Sequence, residues 1–326
     1  MAPPELSIVV PFLNEEAVLP LLQKRLQELG THPDWELVFV SDGSTDSSVR
    51  ILTGWAAHDP SVKVVELTRT FGHQAAVSAG LSVASGRYVG VMDADLQDEP
   101  EILLQMHQQA AADDYDVIYA MRAQRSEGAV KRFCYHLFYR LFSFFADSPV
   151  QIDSGDFCVM NRRAVDLLLD LPERIRFVRG LRAWLGMRSK PFQVSRSPRA
   201  AGEPQYSWSK LIQLASYGIT SFSVRPLRLG FVFGTVLCFI AFLAAIGYLA
   251  IALFTDIPMQ APGFTTLVVL LLFFNRLIFL YISILGEYVG QIFMEVKGRP
   301  TFIIDKIHNF PQGRPERLWP EKTPPE

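Results

Sequence analysis

The stretch from Tyr88 to Pro100, YVGVMDADLQDEP, decides how the rest of the chain is read. Its apolar opening, ending in Val91 and Met92, predicts a buried strand, and Asp93 and Asp95 follow two residues apart. On an extended backbone residues i and i+2 point to the same side, which would put two carboxylates together where a strand runs into a loop. Such a pair repels unless a cation sits between its members, and hard oxygen donors suit Mg2+ or Mn2+. Taken alone, Asp-Ala-Asp also reads as the turn that ends a strand, because aspartate favours turns. Its company in the chain separates the two readings.

Upstream, Leu6 to Pro11 is an apolar run followed by Asn14-Glu15-Glu16 and a helical pattern (Val18, Leu21, Leu22, Leu26, Leu29) that stops at Gly30. Glu36 to Val40 predicts a second strand, ending in Ser41-Asp42-Gly43-Ser44-Thr45-Asp46, a polar turn able to cap the next helix. Val62 to Leu67 predicts a third strand, Gly72 to Ala84 a helix of small residues, and Val117 to Ala120 a fifth strand after the one at Tyr88. Strands alternating with helices at these spacings imply βαβ units and a mostly parallel sheet covered on both faces. Ligands bind such sheets beyond the carboxyl ends of the strands. Asn14 and Glu15, Asp42, Arg69, and Asp93 with Asp95 all fall there. Each alone could be a cap or turn residue, most of all Asn14, Ser44 and Asp46; their convergence on one edge points to a site.

The chain has 326 residues, room for about two domains. A formal net charge of -2 argues against a nucleic-acid binder. Cys134, Cys158 and Cys238 are odd in number, far apart and form no C-x-x-C, so neither a disulfide framework nor a zinc site is expected. The amino terminus lacks the pattern of a secretory signal, which predicts a catalytic part that stays in the cytoplasm. Excess hydrophobicity lies after residue 228, as for a soluble part followed by a membrane part.

Four motifs carry a resemblance to a known family: Pro11-Phe12-Leu13-Asn14-Glu15-Glu16, Ser41-Asp42-Gly43-Ser44, Arg69-Thr70-Phe71-Gly72-His73 and Asp93-Ala94-Asp95-Leu96-Gln97-Asp98. With them the chain resembles inverting glycosyltransferase family two over about residues 5 to 305. Within it the match is to the polyprenyl-phosphate branch, which includes dolichol-phosphate mannose synthase and bactoprenol glucosyltransferases. The resemblance implies an α/β, nucleotide-sugar-binding, Rossmann-like domain of the GT-A type over residues 1–206. It further implies that Asp42 holds the base or ribose of a nucleotide sugar, with Pro11, Asn14, Glu15, Arg69, Asp93 and Asp95 lining the donor. Asp93, Asp95 and Gln97 would surround Mg2+ or Mn2+. Leu13 departs from the family, which often carries an aromatic residue there against the nucleotide.

Farther on, Arg122, Arg125, Lys131 and Arg132 cluster, and Ala129 to Ala146 is aromatic on one face with cations at its start and flank. That composition suits a helix in the membrane interface, where its cations would meet a lipid phosphate; an amphipathic helix docked on the sheet is the other reading. Gly155-Asp156-Phe157 matches the family's G-D-F segment, which implies that Asp156 lies in the active site near the acceptor. A role as base is doubtful, because a phosphate monoester has a second pKa of about 6 and is already largely ionised at neutral pH. Pro172 to Trp184 is expected to build core beneath the site. Arg199 to Lys210 reads as a loop that, by resemblance, closes over donor and acceptor: Arg199 joins the acceptor-phosphate set and Lys210 the catalytic set with Asp156 and Asp95.

Residues 207–228 predict a second interface helix. Leu229 to Leu253 is free of charge over 25 residues, enough to span a bilayer core of about 30 Å, and Phe264 to Gly286 is a second apolar run. Cations at Arg225 and Arg228 on one side and Lys297, Arg299 and Lys306 on the other put both outer ends in the cytoplasm. The expected organisation is a two-helix hairpin over 229–290 and a cytoplasmic tail over 291–326, disordered beyond about residue 310. Arg276, near the middle of the second run, is costly in lipid by about 2.5 to 3.5 kcal/mol, which favours a homo-oligomer, a tetramer among the options, over a lipid path.

These readings converge on a metal-dependent transfer of a hexose, glucose from UDP-glucose by resemblance, to a polyprenyl (undecaprenyl) phosphate lipid. The setting would be the bacterial cytoplasmic membrane, with the protein multi-pass and its catalytic domain cytoplasmic. A processive polysaccharide synthase would be expected to show Q-x-x-R-W and more membrane helices. A non-catalytic nucleotide-sugar sensor or flippase partner is the remaining alternative.

Overall fold

The computed structural model describes residues 3–29, 34–122, 154–174, 176–194, 223–254 and 264–310. The elements run β1 (Leu6–Phe12), α1 (Leu19–Glu28), β2 (Trp35–Ser41), α2 (Ser48–Ala56), β3 (Val62–Leu67), α3 (His73–Val83), β4 (Tyr88–Val91) and α4 (Pro100–Asp113). Then follow β5 (Val117–Arg122), β6 (Ser154–Asn161), α5 (Arg162–Asp170), α6 (Val178–Trp184), β7 (Ser189–Val194), α7 (Arg225–Phe254), α8 (Phe264–Val296) and β8 (Ile304–His308).

The strands form one sheet in the order β7-β5-β6-β4-β1-β2-β3-β8. Its centre, β4-β1-β2-β3, is parallel throughout, as the βαβ spacing predicts. Every residue of β1 is buried, because helices cover both faces of a parallel strand. Alternate side chains part to the two sides: Ile8 and Val10 meet α1, α2 and α4, while Val9 meets α3, α5 and α6. The result is three layers with two apolar cores.

Outside that centre the sheet is mixed. β6 runs antiparallel between β4 and β5, β7 pairs parallel with β5, and β8 pairs antiparallel with β3. The expectation of a mostly parallel sheet therefore holds for the βαβ units and fails at both flanks, where strands arrive from other connections. Within the segment read from sequence as a tail over 291–326, Ile304–His308 closes one edge of the sheet, a strand the sequence reading did not foresee. Phe302 and Ile304 are buried there, His308 Nε2 lies 2.7 Å from Glu66 Oε1, and the Asn309 side chain donates to the carbonyls of Asp59 and Val62.

Two helices, α7 of 30 residues and α8 of 33, are long and apolar enough to cross a membrane. Arg225 to Arg228, read from sequence as the end of an interface helix, form the first turn of α7, where Pro226 needs no intrahelical donor. At Gly230 a Cβ would stand 2.1 Å from the Tyr281 ring, so the absence of a side chain lets the two helices meet. α8 runs ten residues past the predicted end of its apolar run and ties into the domain. Tyr288 Oη donates to the Ser223 carbonyl at 2.6 Å, and the Arg174 N–H donates to Glu295 Oε1 at 2.8 Å.

Arg176 closes α5 by donating to the carbonyls of Leu168, Leu169 and Leu171, which sets the start of α6. Val178 and Leu181 on α6 are buried as expected for core, whereas Trp184 is 55% exposed and corrects that part of the reading. The proposed interface helix at 129–146, the closing loop at 199–210 and nearly all of the interface helix at 207–228 lie outside the described residues.

Candidate active site

The carboxyl ends of β1, β2 and β3 carry loops that bind one another through side chains reaching backbone. Asn14, at φ 54°, accepts from the Thr45 N–H at 2.8 Å while its own N–H donates to Ser44 Oγ at 3.1 Å. The Glu15 N–H donates to Ser48 Oγ, and Glu16 exchanges bonds with Asp46 and the Ser47 N–H. Pro11 is buried one residue before the end of β1. Gly43, at φ 76°, lies so close to the next loop that a Cβ would be 2.7 Å from the backbone of Arg69 and Thr70, a contact open only to glycine.

Asp42 locks the third loop. Its two oxygens accept from the N–H groups of Phe71 (2.7 Å) and Gly72 (2.9 Å), and only 4% of the residue is exposed. Burial raises its pKa, an effect those two amides partly offset. Arg69 is exposed, with its guanidinium 4.1 Å from the centre of the Phe71 ring.

β4 ends at Val91, so Asp93 and Asp95 stand in a turn rather than on the strand, and strand alternation does not orient them. The turn is held by the Gln97 N–H donating to Asp95 Oδ1 at 3.1 Å, with Leu96 at φ 60°. His73, the first residue of α3, spans from this turn to β6: its Nε2 lies 3.6 Å from Asp93 Oδ1 and 3.5 Å from Asp156 Oδ2. The same Asp156 oxygen accepts from Gln74 Nε2 and from Arg179 Nη2, each at 3.0 Å. Gln74 is oriented by its other end, where Oε1 accepts from the Val178 N–H at the start of α6. Asp156 Oδ1 is buried and has no hydrogen-bond partner among the described residues.

Burial by itself would raise the Asp156 pKa, but the charge of Arg179 and the bond and charge of His73 hold it well below the usual carboxylate range. Burial would likewise lower that of His73, yet the hydrogen bond to Asp156 and the charges of Asp93 and Asp156 raise it to about 9. Asp156 is therefore held as an anion at neutral pH by its cationic neighbours. The linkage has a definite sign. A histidine whose folded pKa exceeds its unfolded value adds stability below about 6.5 and loses it as pH rises through about 9. The stability difference between the wild type and His73→Gln, followed by thermal unfolding without added metal, is expected to be constant from pH 5 to 6 and to vanish by about pH 10.

The structure thus brings Asp93 and Asp156 together through His73, and joins Asn14, Glu15, Asp42 and Arg69 through three interlocked loops. Arg122 ends β5 opposite Val194. Arg125, Lys131, Arg132, Arg199 and Lys210 lie outside the described residues. Sequence reading quoted His73 only as part of a motif and passed over Gln74, Arg179 and Arg182. The signal available was Arg179-Gly-Leu-Arg182, two cations three apart and so on one face of a helix.

Among the described residues no group of three or more His, Cys, Asp or Glu side chains could hold a metal ion. Asp93 and Asp95 supply two hard carboxylates instead, which fits Mg2+ as it is usually held, by one or two carboxylates together with substrate phosphates.

Against this geometry the relatives can be placed. The profile of Glycosyl transferase family 2 matches residues 7–169. The glycosyltransferase YkcC of Bacillus subtilis is 39% identical over 311 residues, covering 94% of this chain and 95% of that protein. The SfII prophage-derived bactoprenol glucosyl transferase of Shigella flexneri is 36% identical over 309 residues, covering 93% and 98%. Among solved structures, glucosyl-3-phosphoglycerate synthase from Mycobacterium tuberculosis, in complex with Mn2+, UDP and phosphoglyceric acid, is similar with a TM-score of 0.48. That likeness is at 18% identity and covers 67% of this chain and 77% of the other.

Proposed function

The chain belongs to glycosyltransferase family 2 and is a glycosyltransferase; from that premise we propose that it transfers glucose from UDP-glucose to a polyprenyl phosphate, with inversion, at the cytoplasmic face of a membrane. The observation that carries the reading is the return of the chain after α8: β8 pairs with β3 and begins beside its carboxyl end, where the Thr68 N–H donates to the Ile303 carbonyl, so the chain leaving the apolar hairpin is tied to the edge that bears the site. Relatives named bactoprenol glucosyl transferase, which match over 93% of the chain, support a polyprenyl carrier as acceptor. With β8 in the sheet, the start of α7 and the end of α8 must share one side of a bilayer, and the flanking cations favour the cytoplasm. Arg276, exposed midway along α8, supports association of these helices between copies of the chain.

In this reading the ionised lipid phosphate oxygen attacks the anomeric carbon in line. The bond from that carbon to the diphosphate breaks, and its electron pair leaves with the nucleoside diphosphate. The loops bearing Pro11, Asn14, Glu15, Asp42 and Arg69 receive the nucleoside end. Asp93, Asp95 and Gln97 would hold Mg2+ or Mn2+, which when bound neutralises the departing diphosphate. Arg122, Arg125, Lys131, Arg132 and Arg199 receive the acceptor phosphate, and Lys210 adds a cation at the leaving group. Asp156, ionised and clamped from three sides, orients groups rather than removing a proton.

The test is transfer from a panel of labelled nucleotide sugars to a short-chain polyprenyl phosphate in detergent, with and without Mn2+. A chloroform-soluble, metal-dependent product from UDP-glucose is expected. Intact nucleotide binding without lipid product from any donor would overturn catalysis in favour of a sensor.

A further inference from the structure

We propose that Arg179 binds a phosphate group of one of the two substrates, with Arg182 behind it as a buried second charge; this rests on reading the Asp156 edge as the place where a sugar passes between phosphates. Both residues lie on α6, three apart, and both reach β6: Arg179 Nη2 to Asp156 Oδ2 at 3.0 Å, Arg182 Nη2 to the Gly155 carbonyl at 3.3 Å. They differ in access. The Arg179 side chain is 31% exposed, so a ligand can touch it, whereas Arg182 is 6% exposed beneath the strand.

Two cations of one helix converge here on β6. Arg182 touches the Gly155 carbonyl and faces the Tyr119 ring, its centre 5.3 Å away, and the Cys158 thiol. Asp156 is bonded to Arg179 and also lies within the field of Arg182. Two donors are also left over: Arg179 Nε and Arg182 Nη1 are buried and have no hydrogen-bond partner among the described residues. Buried donors left unpaired call for a partner. A phosphate fits that need, because it brings several acceptor oxygens matched to the planar guanidinium fork together with up to two negative charges.

The phosphate could come from the donor's diphosphate or from the lipid acceptor, and direct binding separates them. Full-length protein in detergent, as wild type, Arg179→Gln and Arg179→Lys, would be titrated by calorimetry with UDP and, separately, with a short-chain polyprenyl phosphate. Thermal unfolding would be followed in parallel. We expect Arg179→Gln to weaken one of the two by tenfold or more, with Arg179→Lys intermediate and the melting temperature little changed. Weaker UDP binding assigns the donor diphosphate; weaker lipid binding with UDP unaffected assigns the acceptor. If Arg179→Gln does not fold, Arg179→Lys decides by the same comparison. Unchanged affinity for both ligands overturns the proposal and leaves Arg179 as a positioning residue for Asp156. Because the readout is binding, a wild type that binds but forms no lipid-linked sugar overturns the proposed function separately.

Discussion

Replacing Asp95 by alanine is expected to lower sugar transfer by about 10²- to 10³-fold, the scale seen when a group that stabilises developing charge is removed. In the proposed metal assignment Asp95 and Asp93 supply the hard donors after β4, and Asp93 is already approached by His73 Nε2 at 3.6 Å. In the proposed assignment, losing Asp95 would leave one carboxylate, itself close to His73, to help hold Mg2+ or Mn2+ against the diphosphate. The fold should survive, because Asp95 is partly exposed and its Oδ1 bond to the Gln97 N–H contributes only about 1 kcal/mol. The measurements are labelled transfer, Mn2+ binding by calorimetry and thermal unfolding on the same preparation. Near-normal turnover, or Mn2+ binding equal to wild type, would remove Asp95 from the metal assignment.

The largest effect on stability is expected at the opposite end of the sheet, in Glu36→Ala. Glu36, 2% exposed at the amino end of β2, accepts from Ser7 Oγ, Lys63 Nζ, and both the N–H (2.8 Å) and Oγ (2.9 Å) of Ser85. These partners come from the starts of β1 and β3 and from the turn before β4, so one carboxylate gathers the amino ends of four parallel strands. Its removal leaves the Lys63 charge, 11% exposed, without its anion, a loss of about 3–5 kcal/mol. For a domain of this size that corresponds to a melting temperature lower by roughly 10 °C. Glu36→Leu with Lys63→Met removes both charges and should recover much of the loss, since apolar replacement of a buried pair is often near neutral. Burial alone would raise the Glu36 pKa, but the bonds from Lys63, Ser7 and Ser85 lower it overall. Its stabilising contribution is therefore present above the unfolded value of about 4.5 and lost as pH falls through the folded one. A Glu36→Ala protein that melts with the wild type at pH 7 would contradict this account.

Much of the scaffold was legible in advance, and for a local reason. The four central strands are buried on both faces, so Leu6–Phe12, Trp35–Ser41, Val62–Leu67 and Tyr88–Val91 read as apolar runs whatever surrounds them. Two helices of membrane-spanning length announce themselves in the same way. The polar residues at the strand ends, Asn14, Asp42, Asp93 and Asp95, could be placed on one edge because parallel βαβ topology leaves no other place for them.

The flanks and the inner wiring of the site were not legible. β8 carries exposed Asp305 and Lys306 and becomes a strand only because the edge of β3 offers unpaired backbone groups 240 residues away in sequence. Asp93 and Asp95 kept their expected place, but the strand ends at Val91, before either of them, so alternation along it does not fix how their carboxylates lie. The Asp156 clamp joins residues 82 and 23 positions apart, Gln74 and Arg179, and no periodicity connects α3, β6 and α6. Sequence by itself determined the family, the parallel centre, the apolar hairpin and which edge carries polar chemistry, all of which follow from periods of two and 3.6 residues within one segment. Tertiary structure alone decided which cations face Asp156, which of its oxygens finds no partner among the described residues and which strand seals the sheet, because those depend on contacts between segments that local pattern does not encode.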